Sequence, residues 1–181
     1  MRTAVIFILA FIINCTAQSP VKSLYEDPWD IEDAYYKDLN NDLDKFVGTW
    51  KYTNGTTSLT ITLQKKLQAY SGYTRGINFY LDFLIGGYRY VENGVEKINT
   101  MPLLLQNYSS PYDYTVFGSV IIGPGSYYCL NCGPDDRKVL LSYIEPNRDI
   151  MGMEPEMIFQ RVDSGGVHKL KLNFRTISGP V

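Results

Sequence analysis

The run Phe46-Val47-Gly48-Thr49-Trp50-Lys51-Tyr52-Thr53-Asn54-Gly55, continued from Thr56 to Leu67, decides the fold class. After Asn54-Gly55 the apolar residues Leu59, Ile61 and Leu63 alternate with Thr60, Thr62 and Gln64. A period of two is the signature of a strand buried on one face. Asn-Gly between two such runs is a hairpin signal, because a type I′ turn needs positive φ at both central residues. The chain therefore enters its folded body as antiparallel β structure.

Downstream, Ile77, Phe79, Leu81, Phe83 and Ile85 fall on one face of a third strand, with Asn78, Tyr80, Asp82 and Leu84 on the other. Gly86-Gly87 interrupts it, as paired glycines do at a bulge or a barrel corner. The segment Tyr70 to Gly76 before it is expected to be a turn. Asn93-Gly94 repeats the first hairpin chemistry, and a fourth strand runs from Val95 to about Leu105, with Pro102 marking an edge or a break. Further strands are expected over Tyr114 to Ile122, Arg137 to Ile144, Glu156 to Val162 and from His168 onward, where Leu170, Leu172 and Phe174 alternate with charged and polar residues. Glu145-Pro146-Asn147 and Ser164-Gly165-Gly166 close the intervening strands. Eight antiparallel strands joined by tight turns over residues 46–178 point to an all-β, up-and-down closed barrel, with a β-sandwich as the alternative. Closure is favoured because it removes exposed edges.

Upstream, Arg2 precedes the apolar run Ala4 to Ile13, followed by small and polar residues to Gln18. This is the pattern of a removable secretory signal over residues 1–17, too short to cross a bilayer. It implies an exported protein, whether periplasmic, attached to the outer membrane or secreted. Cleavage before Gln18 gives a soluble product, whereas Cys15 in an approximate lipoprotein box would supply a lipid anchor, the only expected link to a membrane. Residues 18–45 carry eight acids against three bases, a net −5. Such a run reads as a solvated leader or tether, with a plug built on Trp29, Ile31 and Leu39 as the other reading. Its acids lack the spacing of a calcium loop, so no metal is expected.

The whole chain, 181 residues with net charge −2, offers no basic stripe for nucleic acid. Cys129-Leu130-Asn131-Cys132 lies between strands, flanked by Tyr127-Tyr128 and by Gly133-Pro134-Asp135-Asp136. A redox pair wants a helix N-terminus and a zinc site wants a second ligand pair. A disulfide in an oxidising compartment is the expected state. His168 is the single histidine. With no nucleophile elbow and no histidine partner set, neither enzymatic activity nor a cofactor is expected. Fifteen tyrosines are present, and Tyr88, Tyr90, Tyr108, Tyr112, Tyr114, Tyr127 and Tyr128 gather near turns. They suit half-buried strand positions, or a flat surface for a glycan or protein partner.

Gly48-Thr49-Trp50 on the first strand, behind an acidic leader, resembles the lipocalin signature. That resemblance implies that Trp50 closes a barrel floor against an arginine from near the chain end, for which Arg161 is the candidate and Arg175 the second choice. A wider likeness takes in the signal peptide, residues 46–55, the strand Leu59 to Lys66, the stretch Gly86 to Gly94 and Tyr143-Ile144-Glu145-Pro146-Asn147-Arg148. Together these resemble a family of uncharacterised secreted proteins of Bacteroidota, domain of unknown function 6705. It implies export and a lipocalin-like barrel, and carries no site residues. On that reading a small apolar or amphipathic ligand would contact inward residues of three strands: Leu59, Ile61 and Leu63; Phe79, Leu81 and Phe83; His168, Leu170 and Leu172. The rival expectation is a solid barrel whose tyrosine-rich loops make the contacts.

Overall fold

The computed structural model describes residues 19–74, 76–146 and 153–178. The signal peptide and the candidate anchor at Cys15 lie outside the described residues. Among those described, ten strands form one sheet: β1 (Val21–Ser23), β2 (Tyr35–Lys37), β3 (Gly48–Asn54), β4 (Thr57–Thr74), β5 (Ile77–Glu92), β6 (Val95–Asn99), β7 (Val116–Ile122), β8 (Lys138–Tyr143), β9 (Met153–Ser164) and β10 (Val167–Ser178).

β5 organises the sheet. One of its edges pairs with β4 along nearly its whole length, from Ser58 opposite Val91 to Thr74 opposite Ile77. The other edge is shared in series by β2 at Tyr80 and Leu81, β7 at Leu84 to Gly86, and β6 at Arg89 to Glu92. From β7 the sheet continues through β8 and β9 to β10, and from β4 it ends at β3.

This arrangement corrects the expected closed, eight-stranded antiparallel barrel. Closure would need β10 to pair with β3, yet among the described residues β3 bonds only β4 and β10 only β9. The sheet is open, and it is a single sheet, so the sandwich is corrected too. It is also mixed, because β1 runs parallel to β2, and β2 parallel to β5. Those parallel strands come from the acidic leader, which occupies a stretch of the β5 edge. The solvated tether expected over residues 18–45 is corrected in its described part, where Leu24, Ala34, Tyr36 and Leu43 are buried in the main core.

Local details differ for readable reasons. The first hairpin loop is Gly55-Thr56, since Asn54 pairs with Thr57 and Gly55 alone has positive φ, at 58°. Glycine at the first loop position is the type II′ solution to the same strand twist. At Asn93-Gly94 both residues have positive φ, 51° and 78°, as the I′ turn requires. β4 does not turn at Tyr70; it continues to Thr74 through two register shifts, one next to Gln68, whose φ is 46°. The fourth strand ends at Asn99, and Met101–Leu104 is a helical turn, α1, with Pro102 at its start where a missing N–H costs nothing. Gly86-Gly87 makes no bulge against β4. A Cβ at Gly86 would stand 2.7 Å from the Thr62 carbonyl oxygen, and one at Gly87 3.0 Å from that of Thr100. The pair exists because the backbones of β4 and of Thr100–Met101 crowd the middle of β5.

Leu81 to Tyr88 are all buried, eight in succession, so β5 is covered on both faces. Phe83 stacks edge-on under Tyr112, at 5.6 Å, and Tyr112 in turn meets Phe117 at 5.3 Å. Ile61, Leu63, Val139, Leu141, Met157 and Phe159 complete the core between the arms of the sheet.

Candidate functional site

Near the start of β5, the structure closes one end of the sheet with buried carboxylates. Asp82 is fully buried and accepts from the Tyr35 hydroxyl at 2.5 Å, the Asp38 amide at 3.0 Å and the Gln68 amide at 3.1 Å. Asp38, 1% exposed, accepts from the amides of Asp42 and Leu43 at 3.0 and 2.9 Å and from the Lys65 ammonium at 3.0 Å. Lys65 also reaches Asp44 at 2.9 Å. Burial lowers its pKa, but the hydrogen bonds and charges of Asp44 and Asp38 outweigh that and raise it. Asp42 binds Lys45 at 2.6 Å and accepts from the Tyr25 hydroxyl, with Arg137 at 3.5 Å. Burial pushes the Asp42 carboxyl up, yet Lys45, Tyr25 and Arg137 together hold it below the usual range. Tyr25 is pushed up to about 12, chiefly by burial and by donation to Asp42. Buried carboxylates survive only when hydrogen-bonded, and these are. Their work is structural: they lock residues 24–46 onto β4 and β5.

Toward the other end of β5 the surface is built differently. Leu59, Tyr90 and Ile98 form a cross-strand row over β4, β5 and β6, and Met157 and Phe174 form another over β9 and β10. Between the rows lie Tyr88, Tyr143 and Glu145, and together these residues line a recess of about 230 Å³. The rings stand nearly perpendicular: Tyr88 to Tyr143 at 6.3 Å and 90°, Tyr143 to Phe174 at 5.8 Å and 76°. The Tyr88 hydroxyl donates to the Ile144 carbonyl at 3.1 Å, which fixes that ring as a wall. Its pKa is pushed up to about 12, first by burial and then by Glu145 and Tyr143. Phe174 is 54% exposed, a large apolar surface for a soluble strand to leave open.

The residues expected to touch a ligand are distributed by this geometry. Leu59 lines the recess. Ile61, Leu63, Phe79, Leu81 and Phe83 are buried in the core, with Leu170 and Leu172 half-buried against it. Phe79 also floors a separate recess of about 410 Å³ beside Leu24, Trp29 and Ile121. His168 is exposed near the β9–β10 turn, 3.0 Å from Asp163. Trp50, half-buried, donates its indole N–H to the Phe46 carbonyl at 2.9 Å, and Arg161 donates to the Lys45 carbonyl at 3.1 Å. Trp50 and Arg161 thus bond two adjacent carbonyls of the 3₁₀ turn Leu43–Phe46, and the open sheet has no barrel floor for them to close. Arg175 is taken up by Glu156, at 2.8 Å, and by the ring of Tyr128. Cys129 and Cys132 form a disulfide. In the sequence Tyr143, Glu145 and Phe174 read as strand and turn residues. Nothing in their spacing places them beside Tyr88, because the contact comes from three separate strands and a loop.

A model built on one family matches residues 1–181 throughout. The chain belongs to DUF6705, a family of unknown function. No curated protein and no solved structure matches it. Among the described residues of this DUF6705 chain, no helix is long and apolar enough to cross a membrane.

Proposed function

We propose that the protein is an exported, non-catalytic binding module that holds a small amphipathic ligand in the recess between β4–β6 and β8–β10. The observation that carries this reading is the set of perpendicular rings, Tyr88, Tyr143 and Phe174, that lines a recess whose outer ring, Phe174, is left exposed. Ligand sites are concave, mostly apolar and furnished with a few polar groups, here the Glu145 carboxylate and the Tyr90 hydroxyl. The volume, about 230 Å³, is below that of a drug-sized pocket and suits part of a ligand, its remainder lying outside. Export rests on the signal-like residues 1–17.

The test is native mass spectrometry of protein purified from its own envelope, compared with a Phe174→Ala variant. A small molecule that accompanies the wild type and is lost from the variant supports the reading. A wild type that carries nothing, and shows no NMR shifts at the recess when amphiphiles are added, rejects it.

One observation favours a second reading. On the disulfide loop Tyr127 is 79% exposed and Leu130 70% exposed, beside Tyr128. A rigid turn presenting apolar rings suits contact with a protein or glycan surface. Loss of such a contact on substituting Tyr127 and Leu130, with the recess intact, would assign the function there.

A further inference from the structure

The lining of the recess selects a class of ligand. Among the described residues it contains the rings of Tyr88, Tyr90, Tyr143 and Phe174, one carboxylate, Glu145, and no basic side chain. Among the described residues, nearby cations are engaged elsewhere: Arg175 by Glu156 and Tyr128, Arg89 by Glu96, and Lys97 by Glu92 at 3.8 Å. An anionic headgroup, such as a fatty acid carboxylate, would meet Glu145 with no compensating charge among the described residues. A cation would meet the negative faces of aromatic rings and a carboxylate together, which is how alkylated ammonium groups are recognised.

We infer that the recess takes an organic ammonium group, quaternary or alkyl-substituted, with its alkyl groups against Tyr88, Tyr143 and Phe174 and its charge facing Glu145. Perpendicular rings form adjacent walls of a box, so one compact cation touches several of them. A strongly hydrated ammonium such as unmodified lysine loses more water on entry than an alkylated one, which favours the latter. This inference rests on the recess being the ligand site and names what enters it.

The experiment titrates the full chain with tetramethylammonium and choline, and with two controls: 3,3-dimethylbutanol, a neutral isostere of choline, and hexanoate. NMR shifts of the aromatic and methyl signals of the recess are the readout. The cations are expected to saturate with at least about tenfold tighter binding than the isostere, and Glu145→Gln is expected to remove most of that advantage while leaving isostere binding unchanged. Sedimentation with phosphatidylcholine vesicles, against phosphatidylglycerol vesicles, then identifies the source: co-sedimentation with the former supports a lipid headgroup, and binding of free choline alone supports a soluble cation. If the isostere or hexanoate binds as well as the cations, or Glu145→Gln changes nothing, the cation assignment is overturned and the recess remains a ligand site. If no probe shifts the recess signals of the folded protein, both fall.

Discussion

Asp82 and Tyr90 lie on the same strand, eight residues and roughly 26 Å apart. Around Asp82 the protein buries charge and matches it with backbone amides, a tyrosine hydroxyl and, through Asp38, a lysine. Around Tyr90 it gathers apolar rings and leaves them partly wet. Either placement is costly in isolation: a buried carboxylate without partners, or an exposed ring without cover. The first cost is cancelled within the chain, and the second is not. An uncancelled cost is where a ligand has something to gain, so the carboxylate end serves stability and the ring end is the proposed binding site.

The largest effect expected is from Asp82→Ala. It removes the acceptor of one buried donor, the Asp38 amide, and of two part-buried ones, the Tyr35 hydroxyl and the Gln68 amide; at about 1–3 kcal/mol for a buried donor left unsatisfied, urea denaturation should show a loss of about 3 kcal/mol. An unchanged midpoint would show that the network is ornamental. Next comes Gly86→Ala, midway along the same strand. Its methyl would meet the Thr62 carbonyl and the Leu63 side chain at 2.7 and 2.8 Å. Overpacking of this kind costs about 1–3 kcal/mol, measured by thermal or chemical unfolding.

Smaller changes come with pH. Because the folded Asp42 pKa is depressed, its contribution is present above the unfolded value near 4 and is lost as pH falls through the folded one. Asp42→Asn should therefore flatten the acid limb of a stability–pH curve. Tyr25 is the reverse case: raised to about 12, it contributes below about pH 10 and loses that contribution as pH climbs toward 12. Tyr25→Phe should flatten the alkaline limb. The smallest stability change is expected at the ring end, where Phe174→Ala should stay within about 1 kcal/mol, its ring being 54% exposed. A large destabilisation there would make the ring a core residue and remove the contrast between the two ends.

Sequence periodicity placed the strands from β3 onward well, because alternation and turn chemistry act over a few residues. The Asn93-Gly94 and Gly165-Gly166 turns stand where they were expected, each with two positive φ angles. What misled was the leader. Acids in a run suggest solvent, yet Asp38 is met by Lys65, 27 residues on, and Asp42 by Arg137, 95 residues on, pairings that local pattern does not encode. A clue existed in Asp82, a carboxylate inside the apolar run Phe79 to Ile85, which needs donors from somewhere. The leader's own Tyr35-Tyr36 was a second clue, since paired aromatics seldom stay in a tether. The barrel expectation failed for the same reason: local pattern counts strands, and it does not reveal that three of them share one edge of β5. Of the recess, Leu59, Tyr88 and Tyr90 were singled out by residue type, while Tyr143, Glu145 and Phe174 became visible only once β8 and β10 were placed.

The contrast between the two ends depends on the leader being a fixed part of the sheet. Native-state amide hydrogen exchange of the full chain tests this at Asp38, Asp42 and Leu43, whose N–H groups donate to buried carboxylates. The account predicts that these amides exchange only through global unfolding, as slowly as the core amides of β5. Exchange at the rate of an unstructured segment, with β5 still protected, would contradict it.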